Sequence, residues 1–196
     1  MTSRETVVTP ERFSKGYSYE DYTAQINVNK DRFEQYYETA RTAITEEDAI
    51  AFTKLATKVG GVARILVLGE DWCPDVYRGM PMIARIAEAG GMDMKVFPRD
   101  ANPDIMDEFL KNGEFQSIPV FVFYTEDYKY LCHWIERPAN VTEEMGAINR
   151  QVDEEMAGED EQAVRRTRRD RINSKFPDWQ RESVKDIRSL LESTVE

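Results

Sequence analysis

The sequence predicts an α/β fold, a mixed β-sheet flanked by helices, with further helices added at both ends. Two observations lead there. Apolar runs such as Ile65-Leu66-Val67-Leu68 and Val120-Phe121-Val122-Phe123-Tyr124 have the length and residue types of buried strands, and stretches of helical period lie between and around them. A hydrophobic content of 41% with 11% aromatics in 196 residues supplies a packed core of about one domain plus extensions.

In chain order, Val28-Asn29-Lys30-Asp31 opens a helix carrying Phe33, Tyr36, Tyr37, Ala40 and Ile44 at i, i+3, i+4 spacing. Thr45-Glu46-Glu47-Asp48 has the form of an N-terminal box for a second helix through Ile50, Phe52, Leu55, Ala56 and Val59, and Gly60-Gly61 stops it. Residues before about Tyr17 are expected to be loosely ordered. Arg64 to Gly69 reads as a buried strand, Pro74 to Ala89 as a helix ended by Gly90-Gly91, and Met92 to Pro98 as a second strand. The intervening helix makes these two strands parallel, with a right-handed connection. Asn102-Pro103 opens a short helix with Ile105, Met106, Phe109 and Leu110. Pro119 to Tyr124 and Tyr130 to Ile135 read as strands joined by a short turn, hence antiparallel. From Val141 onward the chain is helical and highly charged, an acidic run (153–161) preceding a basic one (165–171). These can pair at i, i+4 positions, which favours a solvated helix over an RNA-binding one. Pro177-Asp178 is expected to precede a separate final helix with Trp179, Val184, Ile187, Leu190 and Leu191. Three regions follow: a helical N-terminal extension packed on the core (1–62), a central domain (63–157) and a charged C-terminal helical extension (158–196).

Composition narrows the function. With 26 basic and 37 acidic residues the net charge is −11, which argues against general affinity for nucleic acid or anionic membranes. Met1 to Glu20 lacks the apolar core of a signal peptide, and no run approaches the roughly 18 apolar residues of a membrane span. A cytoplasmic location with no membrane partner is the expectation. Two cysteines and one histidine do not furnish a zinc site, so no metal is expected, and Cys73 and Cys132 read as reduced thiols. His133 reads as a satisfied polar group and Cys132 as a packing residue.

The chemistry concentrates in Glu70-Asp71-Trp72-Cys73-Pro74-Asp75-Val76, between the first strand and the helix that follows. A cysteine there sits at a helix N-terminus, where free N–H groups and the helix dipole favour the thiolate. Asp71 and Asp75 oppose this, and a modest net lowering of the Cys73 pKa is expected. Cys73 and Arg78 are separated by four residues where a phosphatase loop needs five, and the glycine-rich cradle is missing, so that chemistry is excluded.

With Trp72-Cys73 at the first strand–helix junction, Pro81 eight residues later and Ser117-Ile118-Pro119 ahead of a strand, the chain resembles the thioredoxin superfamily over roughly 64–156. The segments Phe97-Pro98-Arg99-Asp100, Asp104-Ile105-Met106-Asp107 and Glu136-Arg137-Pro138 resemble the bacterial thioredoxin family proteins that carry a helical N-terminal extension. The resemblance implies a three-layer α/β/α sandwich, a partly exposed Cys73 beside Trp72, and a cis Ile118–Pro119 bond. It also implies a groove formed by Trp72, Pro74, Asp75, Ile118 and Pro119 in which an extended peptide adds as a strand. Two positions depart from the family. Val76 stands where dithiol members carry the resolving cysteine, and Val67 where thioredoxins bury a proton-transferring aspartate. The expected function is therefore a monothiol thiol–disulfide oxidoreductase with Cys73 as nucleophile. It would act on a disulfide-containing protein or a small-thiol mixed disulfide, resolved by a low-molecular-weight thiol as co-substrate, with no other cofactor. A peroxide-derived sulfenic acid at Cys73 is a variant of the same chemistry. The alternative is a non-catalytic peptide- or protein-binding module, its terminal helices offering a homodimer surface. Nothing in the sequence supports an iron–sulfur carrier.

Overall fold

The computed structural model describes residues 6–195. Strands β1 (Arg64–Gly69), β2 (Asp93–Pro98), β3 (Val120–Tyr124) and β4 (Tyr130–Ile135) form one sheet in the order β2-β1-β3-β4. β1 and β2 are parallel, with Val67 opposite Val96, and a helix connects them as their direction requires. β3 runs antiparallel to both β1 and β4, placing Val67 opposite Phe121 and Val120 opposite Ile135. The central strands β1 and β3 are buried almost throughout, which is why both read as unbroken apolar runs.

Eight helices surround the sheet among the described residues: α1 (Pro10–Phe13), α2 (Tyr19–Gln25), α3 (Lys30–Ala43), α4 (Glu46–Thr57), α5 (Pro74–Gly90), α6 (Pro103–Met106, continued by a 3₁₀ turn at Asp107–Phe109), α7 (Ala139–Glu155) and α8 (Glu161–Thr194). Helix α5 lies on β1 and β2 and is itself covered by α3, α4 and α8. The two faces of β4 separate the layers. Trp134 donates to Asp186 of α8 at 2.7 Å, while His133 on the opposite face lies 5.3 Å from the Phe109 ring. Helices therefore cover both sides of a mixed sheet, and one apolar core runs from Val8 to Val195.

Local chemistry explains most boundaries. Thr45 and Asp48 cap each other's backbone in a full capping box at the start of α4. Gly91, with φ 69°, ends α5 in the left-handed conformation that glycine adopts freely.

Three expectations are corrected. The segment before Tyr17 is ordered from Thr6 onward: Val8 and Phe13 are 2% and 1% exposed, and Tyr17 pairs with Val96 at the edge of β2. These contacts cover an otherwise open strand edge; residues 1–5 lie outside the described part. On α4, Ile50 is 50% exposed, and Val59 is fully exposed because it follows the helix end, where helical spacing no longer holds. Finally, α8 runs unbroken through Pro177. A mid-helix proline costs about 3 kcal/mol. Phe176 and Trp179, which flank it, are buried with Tyr36 and Val141, and each such side chain returns roughly 1.5–3 kcal/mol. The acidic and basic runs pair mostly across the α7–α8 hairpin, Arg168 with Asp153 and Arg171 with Glu155, with Arg165–Glu161 alone at i, i+4 among them.

Candidate functional site

The site starts from how closely α5 approaches the end of β1. A Cβ at Gly69 would lie 2.8 Å from both Val76 Cγ1 and Met80 Cε, so only glycine lets the helix pack there. The loop from Glu70 to Trp72 is pinned from two sides. Glu70 accepts from the Asp100 N–H at 2.8 Å, and Asp71 accepts from the N–H groups of Asn27 and Val28 at 3.0 and 3.3 Å. Asn29 closes this latch by donating to the Asp71 carbonyl at 2.9 Å. The α2–α3 connection thus walls the loop that presents Trp72 and Cys73.

Cys73 is the N-cap of α5 and Pro74 its first residue, the position where a missing N–H is harmless. Its Sγ lies 3.8 Å from the carbonyl oxygen of Ile118, and the Ile118–Pro119 bond is cis. A Cβ at Gly79 would come within 3.3 Å of the Pro119 ring, so α5 is seated directly against that segment. The fold therefore brings Cys73 to Ile118 and Pro119, 45 residues away in sequence.

The electrostatics correct two expectations. Cys73 is buried, at 9% exposure, where the resemblance implies partial exposure. Its pKa is raised, not lowered: burial pushes the thiol up first, and the Asp75 carboxylate adds to this. The N–H groups of Val76 and Asp75 at the helix start and the Arg137 guanidinium pull the other way without winning. Arg137 forms an ion pair with Asp75, both side chains being less than one-fifth exposed.

Around this centre, Trp72 is half exposed and the Arg99 guanidinium sits 5.2 Å from its ring. Arg99 also pairs with Asp100 at 2.6 Å and donates to the Gln116 carbonyl at 3.2 Å. Glu136, in the left-handed region at φ 61°, donates its N–H to the Pro119 carbonyl at 2.8 Å and pairs with Lys111 at 2.5 Å. Val76 and Val67 are wholly buried. Cys132 lies on β4 beneath α8; burial raises its pKa to about 11, and both cysteines are free thiols.

Arg137, Arg99, Glu136 and the Asn27–Asn29 latch were not picked out by sequence reasoning as site residues. Arg99, Glu136 and Arg137 stand in segments that carry the resemblance, but their part in the site, like that of Asn27–Asn29, comes from tertiary structure.

A single thiol at the start of the helix after β1, facing the residue before a cis proline, defines a thioredoxin-fold protein. The match of a family sequence model described as Thioredoxin to residues 16–177 is consistent with this, and the chain belongs to that family. Among solved structures it is similar to a protein of unknown function from Pseudomonas aeruginosa (16% identity, 92% of this chain and 95% of that one, TM-score 0.63). It is also similar to an HIV epitope scaffold (13% identity, 93% and 96%, TM-score 0.65). At these identities the likeness is one of fold. No curated protein matches the sequence. Among the described residues no helix is long and apolar enough to cross a membrane.

Proposed function

We propose that the protein is a monothiol thiol–disulfide oxidoreductase acting through Cys73. The observation that carries this reading is the placement of Sγ at the α5 N-terminus, 3.8 Å from the Ile118 carbonyl next to Pro119. In the first step the Cys73 thiolate attacks one sulfur of a disulfide. A bond forms between Sγ and that sulfur, the original S–S bond breaks, and the departing thiolate takes up a proton. A low-molecular-weight thiol then attacks the mixed disulfide, restores the Cys73 thiolate and leaves with the substrate sulfur in a new disulfide. One substrate sulfur is thereby released as a thiol and the other is joined to the small thiol; a second small-thiol molecule frees it and completes the reduction, with the two small thiols left as their disulfide. Val76 supports this order of events, since it leaves no second thiol in the first turn of α5.

The raised pKa gives the exchange a particular character. At neutral pH little thiolate is present, so attack is slow. A high-pKa thiol is also a poor leaving group, so the mixed disulfide persists until an external thiol resolves it. The same observation favours a second reading, a peptide-binding module in which Cys73 does not turn over. Incubation with a model protein disulfide and a small thiol separates them. Under exchange, a mixed disulfide at Cys73 accumulates and decays as the small thiol is raised, and Cys73→Ser forms none. Under pure binding, wild type and Cys73→Ser behave alike.

A further inference from the structure

The surface around Cys73 carries both apolar exposure and unbalanced charge. Three of the large hydrophobic side chains exposed among the described residues stand at its rim: Val28 (46%), Trp72 (50%) and Phe115 (57%). Their positions are linked. Val28 donates its N–H to Asp71, next to Trp72; Arg99 lies against the Trp72 ring and donates to Gln116, next to Phe115. Exposed apolar side chains on segments tied together in this way are read as a contact surface.

Three cations at this rim stand in ion pairs. Arg99 is paired with Asp100, Arg137 with Asp75 and Lys111 with Glu136. The remaining carboxylates are not. Glu70 and Asp71 accept only from backbone N–H groups, Asp107 accepts from the neutral Gln116 amide at 3.4 Å, and Glu114 is exposed with no ion pair. The pKa of Glu70 is raised, by burial first; the Asp100 and Asp71 carboxylates add to this, against the Asp100 N–H and the Arg99 guanidinium. A buried thiol thus lies beside a surface that carries these apolar side chains and four carboxylates that form no ion pair among the described residues.

We infer that the substrate of the Cys73 site is a disulfide-bonded cysteine held in a basic, extended protein segment, with lysine or arginine flanking the reactive sulfur and apolar side chains meeting Trp72 and Phe115. This deepens, and rests on, the exchange function proposed above. Positive flanks meet the unpaired carboxylates and are drawn in, while acidic flanks are repelled. A small symmetric disulfide bearing carboxylates is disfavoured as first substrate on the same ground.

The test uses the full chain carrying Cys132→Ala and three peptides alike except for lysine, glutamine or glutamate flanks, each with its cysteine activated as an aromatic mixed disulfide. Release of the aromatic thiol reports attack by Cys73, and each rate is divided by that of free cysteine on the same peptide. The lysine peptide is expected to react about 5–10-fold faster than the glutamate peptide at low salt, the ratio falling to within about twofold at 1 M salt, where the Debye length is about 3 Å. The double substitution Asp107→Asn with Glu114→Gln is expected to reduce the ratio at least twofold. Glu143→Gln with Glu154→Gln, on α7, is expected to leave it unchanged, which excludes a mere effect of net charge. Equal rates, a glutamate preference, or equal effects of the two double variants would overturn the inference. Peptides with serine for cysteine, followed by fluorescence anisotropy, keep the two readings apart. Tight, salt-sensitive binding of the lysine peptide without release from any activated peptide sinks exchange and keeps the basic-partner surface; no charge preference in binding and in release sinks the surface.

Discussion

At Cys73 two familiar effects compete. The helix start supplies N–H groups and dipole in favour of the thiolate, and burial together with Asp75 opposes them; burial wins. The balance is open to mutation. Asp75→Asn removes a carboxylate that disfavours the thiolate, so Cys73 is expected to be alkylated several-fold faster at neutral pH, up to about tenfold for one pKa unit. Arg137→Gln removes a cation that favours it and is expected to slow the reaction. Rapid alkylation kinetics on the Cys132→Ala background measures both. At this scale the sequence was informative where chemistry is local: Trp72 and Cys73 stand out at a strand–helix junction, and Pro119 through the family resemblance. It could not reveal that Cys73 is covered, because the carbonyl beside it belongs to Ile118. Nor could it reveal Arg137, which reaches Asp75 across 62 residues through the pairing of β3 with β4.

At the scale of elements, the seat of α5 on β1 decides what the site can hold. Gly69→Ala places a methyl 2.8 Å from Val76 Cγ1 and Met80 Cε and is expected to cost about 1–3 kcal/mol by overpacking, read from chemical denaturation. Val76→Cys restores a thiol one turn beyond Cys73. Residues three apart on a helix bring their Cβ atoms to about 5–6 Å, which leaves a disulfide within reach after small adjustment. Mild oxidation of this variant is expected to remove two hydrogens by intact mass, and its mixed disulfides are expected to resolve without an external thiol. The elements themselves were largely legible, since capping box, terminal glycines and apolar runs act over a few residues. Pro177 misled because its helix is held by aromatic packing against α3 and α7, which outweighs a local break signal.

Across the whole molecule, α8 enters the sheet's core through Val184, Ile187 and Leu191, and a second apolar cluster ties the outer helices to one another. Trp179, 2% exposed and donating to Glu144 at 2.8 Å, joins α8 to α7 and α3. Trp179→Ala is expected to cost about 3–5 kcal/mol in thermal or denaturant unfolding. Cys132 gives an alkaline signature. Its folded pKa of about 11 lies above the roughly 8.5 of an unfolded cysteine, so the unfolded state loses its proton first. The associated stability is complete below about pH 8.5 and is lost as pH rises toward about 11, by up to about 3 kcal/mol. Cys132→Ala is expected to lack that part of the decline. Sheet direction and helix order could be foreseen from segment lengths. The docking of the N-terminal segment along β2 could not, because Val8 and Phe13 stand in a short polar stretch with no period to betray them.

The most direct measurement is the rate of Cys73 alkylation from pH 6 to 11 in the Cys132→Ala protein, compared with free cysteine. A buried but exchange-competent thiol gives labelling of the folded protein that rises about tenfold per pH unit and levels off only above the roughly 8.5 of free cysteine. A plateau at lower pH, or labelling that proceeds only as fast as the protein unfolds, would contradict it.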